Sequence, residues 1–507
     1  MTRNSDRITK LAGCRIVDVI KGTVVSGVSD VYLRDGKICA VRREGEDAPE
    51  PDCLIDINGG YVMPGMINTH CHIGHITPAL LADMKTLRLT KKWQDTQINH
   101  SLQQCLAYGI TTIRDALSDN LVKIGTLSES IRNGDICGPS ILPSVLISHG
   151  KGACVQPSSG IGKLLLRILG IPVLDYADSG TGVVLLQPDP TEEDLETAVA
   201  EALRRGGAYI KFYDQHEKML TYKPGAEVLS GNELKAIAAC CHERNLYSLM
   251  HHFTAGAFTA GVAAGIHTLT HLPMDRLLTE GEVEEFRMSQ ASLEPTLSLA
   301  YHYCWKHPGL TSVNGRLAEL TEERSSGYRT LIDKYWISQL RDSVAKNFER
   351  ASAGTFRSFG GLNMLPFFRY MDSFTSTGFD NLLLLLKAGC HDRICFGNDA
   401  GATQTSPAEK DTEIDLIRTC CTRAAMSASD TNAFIVRMLT CNGARALGLG
   451  NELGQVREGF RADLAVCAEN PLDDTEVLKK PVTMTVAGGM VYSVNKNAEV
   501  KLLWQVT

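Results

Sequence analysis

Between Thr191 and His271 the chain alternates helix and strand in a way that few folds accommodate. Thr191 with Asp194 opens a helix in capping-box fashion, and Gly206-Gly207 closes it before the extended run Ala208 to Tyr213. Ser230 with Glu233 opens a second helix, whose Leu234, Ile237, Ala238 and Cys241 fall at i, i+3, i+4 and i+7 on one face. The strand Leu246 to His251 follows, then a helix from Thr254 to Ala264 stopped by Gly265, then the strand Ile266 to His271. Strand, helix, strand, helix, strand implies a parallel sheet, because parallel neighbours need a crossover connection. Further strands expected at Tyr61 to Asn68, Gly109 to Asp115, Ile141 to Ser148, Ala291 to Thr296 and Arg393 to Asn398 bring the count to eight. The predicted class is α/β, a (β/α)8 TIM-like barrel. An open doubly wound sheet would call for a Gly-rich phosphate loop, and neither G-x-G-x-x-G nor G-x-x-x-x-G-K-[ST] occurs.

The two ends of the chain have a different texture. Short strand candidates at Cys14 to Val19, Val24 to Val25, Asp30 to Arg34 and Lys37 to Val41 are separated by turn signals. Ala462 to Cys467, Val482 to Val486 and Met490 to Ser493 repeat that pattern, the last two joined at Gly488-Gly489. Residues 1–60 and 449–507 are therefore expected to pair into one small β-sandwich domain, with residues 61–448 forming the barrel. A length of 507 residues suits such a two-domain layout. The region from Ser298 to Asp380 is long for one connection within a barrel, as lids and substrate loops often are.

Composition removes several classes of function. A formal net charge of −7, with no basic run interleaved with aromatics, excludes nucleic acid as an expected partner. The longest apolar stretches, such as Leu382 to Leu386, fall far short of the roughly 18 residues that would mark a membrane span. The sixteen cysteines are scattered, without a C-x-x-C repeat, so neither a disulfide scaffold nor a thiolate zinc site is indicated. Free thiols and a polar start from Met1 to Lys10 point to a cytoplasmic location.

Five features fall at the carboxyl ends of expected strands, where barrel enzymes keep their chemistry. His70 and His72 flank Cys71, and period-2 alternation puts both imidazoles on one side of an extended strand, within reach of one metal. Lys211 interrupts the otherwise apolar Ala208 to Phe212, where a buried ammonium needs a reason. A partner carboxylate such as Asp214 would supply one; a carbamate formed with carbon dioxide and bridging two cations is the other. His251 and His271 end successive strands and so emerge at neighbouring barrel positions, whereas His252 points to the opposite side and reads as packing. Asp399 ends the last expected strand between Gly397 and Gly401.

Taken together, Gly60-Tyr-Val-Met-Pro-Gly-Met-Ile-Asn-Thr-His-Cys-His72, Tyr209-Ile-Lys211, His251 through His271, Cys395-Phe-Gly-Asn-Asp399 and Gly459-Phe-Arg-Ala-Asp-Leu-Ala465 resemble the amidohydrolase superfamily over most of the chain. Ile147-Ser148-His149-Gly150 and Pro295-Thr296-Leu297 are most similar to its imidazolonepropionase-like and prolidase-like branch, which includes ochratoxin-cleaving amidases. The resemblance implies that His70 and His72 are ligands of a first metal and His251 and His271 of a second, with Lys211 a carboxylated bridge. Asp399 becomes both ligand and proton shuttle. Two divalent ions are implied, zinc first, although such an N/O site also accepts manganese, cobalt or nickel. His149 is implied to contact a substrate carboxylate or the developing oxyanion, a satisfied loop histidine being the alternative; Tyr213 and Tyr222 are implied to line the pocket. Asn398 stands where relatives often carry Thr, and Cys71 lies between the metal histidines.

The expected reaction is hydrolysis of a C–N bond in a small molecule, such as an N-acyl amino acid or a dipeptide, by metal-activated water. A cyclic amide or imide, a lactone and a phosphoester remain open as substrates. A mononuclear deaminase would share the histidines and Asp399 but typically lacks the lysine and carries Glu where this chain has Thr254. A non-catalytic relative on the same fold would have lost ligands, and none is missing. A homo-oligomer is the family expectation.

Overall fold

The structure, a computed structural model, describes residues 7–75, 83–118, 120–150, 181–214, 227–299, 331–352, 374–401 and 405–505. Seven parallel strands form most of a barrel, in the order Met66–Cys71, Ile110–Asp115, Ser140–His149, Tyr209–Asp214, Tyr247–His252, Thr268–Thr270 and Ser292–Glu294. The strand Val183–Leu186 adds a parallel partner along the distal half of Ser140–His149. Closure comes from residues 394–400. They bridge Leu293 at Ile394 and Cys71 at Ala400, and Cys395 N–H donates to the Leu293 carbonyl while Thr69 and His72 donate to Phe396 and Ala400. The eighth expected strand is thus an extended segment held by its two neighbours, and the predicted α/β barrel is what the chain forms.

Local sequence signals account for the crossovers. Thr191 and Asp194 cap the helix Glu192–Arg204 reciprocally, and Ser230 and Glu233 do the same for Gly231–Glu243. Each cap satisfies backbone N–H groups that a helix start leaves without partners, an effect worth about 1 kcal/mol. Gly265 ends Ala255–Ala264 at φ 78, a left-handed conformation that costs glycine little. A third capping box, Thr279 with Glu282, opens Glu280–Met288. Helices and strands share one continuous core, with Ile210, Phe212, Met250, Leu269 and Leu293 fully buried.

The run expected as one strand from Tyr61 to Asn68 is two. Tyr61–Pro64 pairs with Arg15 and Ile16 on one side and with Leu464–Cys467 on the other, whereas Met66–Cys71 enters the barrel. The break falls at Gly65, where a Cβ would lie 2.2 Å from Thr111 Oγ1, so only glycine lets the chain pass this close to the second barrel strand. The strands from both ends of the chain join in one ten-stranded sheet with its own core of Leu11, Val31, Leu33, Val62, Leu464, Val486 and Val491. Sequence patterning missed two of its strands, Cys53–Asp56 and Val500–Gln505.

All fourteen described cysteines are unpaired. Among the described residues no helix is long and apolar enough to cross a membrane. Most of the connection from Ser298 to Asp380 lies outside the described residues; Ser338–Ser352 and Phe379–Lys387 within or at the end of it are helical.

Candidate active site

Parallel register sets which side chains meet at the barrel mouth. Tyr213 is the cross-strand partner of His251, His251 of Thr270, and Thr270 of Glu294, so one row of the sheet carries four polar or aromatic groups side by side. The Tyr213 ring stacks on His251 at 3.9 Å between centroids, with a 6° interplanar angle. Lys211 lies two residues deeper on its strand, opposite Leu249 and Leu146, and is only 2% exposed.

Two donor groups face the mouth. In the first, His70, His72 and Asp399 present ligand atoms that all lie within 4.8 Å of one another. Asp399 Oδ1 is 2.9 Å from His72 Nε2 and 3.4 Å from His70 Nε2. In the second, His271 Nε2 lies 2.8 Å from His251 Nδ1, so the two rings converge on one point. His70 Nε2 and His251 Nε2 are buried and make no hydrogen bond among the described residues. Buried ring nitrogens without partners are costly in a folded protein, and a divalent ion is one way to satisfy them. The donor set of imidazoles and a carboxylate therefore fits metal binding.

Electrostatics agree with that fit. Burial, the neighbouring imidazole and the Lys211 charge push His251 well below the ordinary histidine range; burial does the same for His271, with His70 and Lys211 adding to it. Both are therefore neutral, as metal ligands must be. Burial alone would raise the Asp399 carboxyl, but the closeness of the His70 imidazole and the contact with His72 outweigh it and hold the group well below the usual carboxylate range. Lys211 is near enough to act on both His251 and His271, which places the expected bridging residue beside the second donor pair.

Close backbone packing holds the first group together. Both Asn398 and Asp399 N–H groups donate to the His70 carbonyl, at 3.2 and 2.9 Å. A Cβ on Gly397 would sit 2.6 Å from His70 Cβ, and one on Gly401 only 2.2 Å from the His72 carbonyl. Asn398 is a structural joint, accepting from Asn68 Nδ2 at 2.9 Å and donating to the Ser406 and Glu409 carbonyls. His271, Thr296 and Asp399 all sit at positive φ, 74, 48 and 51 respectively, a strained setting for residues other than glycine and one that clusters at functional sites.

The remaining expected site residues are placed as follows. His149 ends the third barrel strand, and its Nε2 is 3.1 Å from Glu233 Oε1, while the other Glu233 oxygen accepts the Ser230 N–H of the capping box. His252 points away from the mouth, fully buried against Phe258; burial alone drives its pKa down to about 3, in keeping with a packing role. Tyr222 and the Asp214 side chain lie outside the described residues.

Sequence reading passed over Glu294 and Arg114. Glu294 is 0% exposed, accepts from Arg114, from Thr270 Oγ1 at 2.8 Å and from His70 Nδ1 at 2.8 Å. Burial raises its carboxyl, but the Arg114 charge and the contact with His70 overcome that and bring it down to about 2. A signal was present: Glu294 and Arg114 are charged residues on expected barrel strands, as Lys211 is.

The barrel thus gathers His70, His72, His251, His271 and Asp399 at the carboxyl ends of its strands, where barrel enzymes carry their chemistry. The amidohydrolase family profile matches residues 61–492, and the chain belongs to that family, as a hydrolase acting on carbon–nitrogen bonds. No curated protein matches the chain. Among solved structures it is similar to a prolidase complexed with N-methylphosphonate-L-proline, at 21% identity and TM-score 0.66 over 96% of this chain and 99% of that one. A Xaa-Pro dipeptidase with bound methionine in the active site gives 18% and 0.66 over 96% and 100%. The A. niger ochratoxinase gives 18% and 0.64 over 97% of both chains.

Proposed function

We propose that this chain is a binuclear metal-dependent amidohydrolase that cleaves the amide bond of an N-acyl amino acid or dipeptide-like small molecule. The observation that carries the reading is the pair of converging donor groups, His70, His72 and Asp399 on one side and His251 with His271 on the other, with Lys211 buried beside them. Two ions would be held by those residues, zinc being the first choice, and when bound they supply an acidified water and a polarised scissile carbonyl. Lys211, carboxylated by carbon dioxide, would offer one oxygen to each position.

The chain's own groups supply the rest. Asp399 is kept ionised by its histidine neighbours, so it can accept the proton of the attacking water and return it to the departing nitrogen. Tyr213, stacked on His251 and partly exposed, forms one wall of the mouth and would exclude water from one side of the scissile bond. His149 would meet the carboxylate of the substrate by exchanging its contact with Glu233, which keeps its capping role through the other oxygen. The prolidase, dipeptidase and ochratoxinase neighbours support a substrate that pairs an amide with a carboxylate.

The test is elemental analysis of the purified protein beside Lys211→Ala prepared identically. Two metals per chain, falling sharply in the variant, support the reading. One per chain, unchanged by the substitution, would make Lys211 structural and favour a mononuclear deaminase. A panel of N-acyl amino acids and dipeptides then checks the substrate: failure of that panel with turnover of cyclic amides would refute the acyclic assignment.

A further inference from the structure

Glu294 and Thr296, two residues apart where the seventh barrel strand ends, each hold one ring nitrogen of a different histidine. His70 Nδ1 lies 2.8 Å from Glu294 Oε2, and His271 Nδ1 lies 2.6 Å from Thr296 Oγ1. The direction of both bonds can be worked out. An ionised carboxylate only accepts, and Glu294 is held in that form by Arg114, so the His70 proton is on Nδ1. Thr296 spends its own O–H on the Pro295 carbonyl at 2.8 Å, so its oxygen receives a proton from His271 Nδ1 rather than giving one.

Nε2 of each ring is consequently the atom turned toward the site. For His70 that atom is the buried nitrogen without a hydrogen bond that faces Asp399; for His271 it is the one 2.8 Å from His251 Nδ1. We propose that Glu294-Pro295-Thr296 is a single positioning element that presets one histidine for each of the two cation positions. The proposal rests on the binuclear reading above. Its geometry is held from behind: Thr296 has φ 48 although it is β-branched, and Glu413 accepts the N–H groups of the next two residues, Leu297 and Ser298, at 3.0 and 2.7 Å. A strained turn clamped on both sides keeps the Thr296 oxygen where His271 needs it.

The experiment strips the full-length protein with a chelator and titrates it with Zn2+, and separately Co2+, by calorimetry. Thr296→Gly removes the hydroxyl and also relieves the positive φ, so loss of fold is not its expected effect; Thr296→Ser restores the acceptor. One of two binding steps should weaken about 10- to 100-fold in Thr296→Gly and recover in Thr296→Ser, while Glu294→Gln weakens the other step. A purely structural role would not single out one step or be rescued by serine. Two steps at parental affinity in a folded Thr296→Gly would overturn the positioning role alone. A parent that takes up fewer than two ions would overturn the binuclear reading and this inference with it.

Discussion

Glu413 offers a quantitative check on the clamp behind the site. Its side chain is fully buried, and burial raises its carboxyl from the ordinary 4.5 to about 7 even though both oxygens accept backbone N–H groups, from Leu297 and Ser298. A raised acid binds its proton more tightly folded than unfolded. Its contribution is therefore complete below pH 4.5 and is lost as the pH climbs through 7. A shift of that size corresponds to about 3 kcal/mol, at about 1.4 kcal/mol per pH unit. Glu413→Gln cannot titrate, so the stability of the variant minus that of the parent should rise by about 3 kcal/mol between pH 4.5 and pH 7.5 and then level off. Urea unfolding of metal-saturated protein across that range measures it, provided the two proteins unfold with equal m-values. A difference that stays flat with pH would refute the argument, and would mean that the two N–H donors keep the carboxylate ionised throughout.

Three further outcomes follow from single positions. Lys410 is fully buried, its Nζ makes no hydrogen bond among the described residues, and burial lowers its pKa from 10.5 to about 8. The charged form is thus penalised below pH 8 and the penalty fades toward pH 10.5, so Lys410→Met should stabilise by up to about 3 kcal/mol at pH 7 and by progressively less above pH 8, read from urea midpoints. Gly401→Ala places a Cβ 2.2 Å from the His72 carbonyl at φ 103 and should weaken cation binding at least tenfold by calorimetry, the low end of what disturbed ligand support costs. Gly459→Ala, at φ 85 with nothing within 4 Å, should cost about 1 kcal/mol of stability and leave metal binding unchanged.

What could be read from the sequence divides along physical lines. The crossovers were legible because capping boxes and glycine stops act within four residues, and Thr191, Ser230 and Gly265 each do in the structure what their neighbours in sequence demand. The break at Gly65 was not, because its cause is Thr111, a residue on another strand. Nor could the closing segment be recognised as an extended bridge rather than a regular strand, since its partners are the backbones of His70, His72 and Leu293. The candidate ligand residues stood out by residue type. Their supports did not, because Glu294 meets His70 only through barrel closure and Thr270 only through the register that aligns Tyr213, His251, Thr270 and Glu294 in one row. Lys211, Arg114 and Glu294 nonetheless share one property, a charge on a barrel strand that the fold buries. Desolvation makes such a charge costly unless a partner meets it, so every charge of this kind in a barrel strand predicts a second group across the sheet. Arg114 and Glu294 are that pair here, and their meeting sets a carboxylate 2.8 Å from His70 Nδ1.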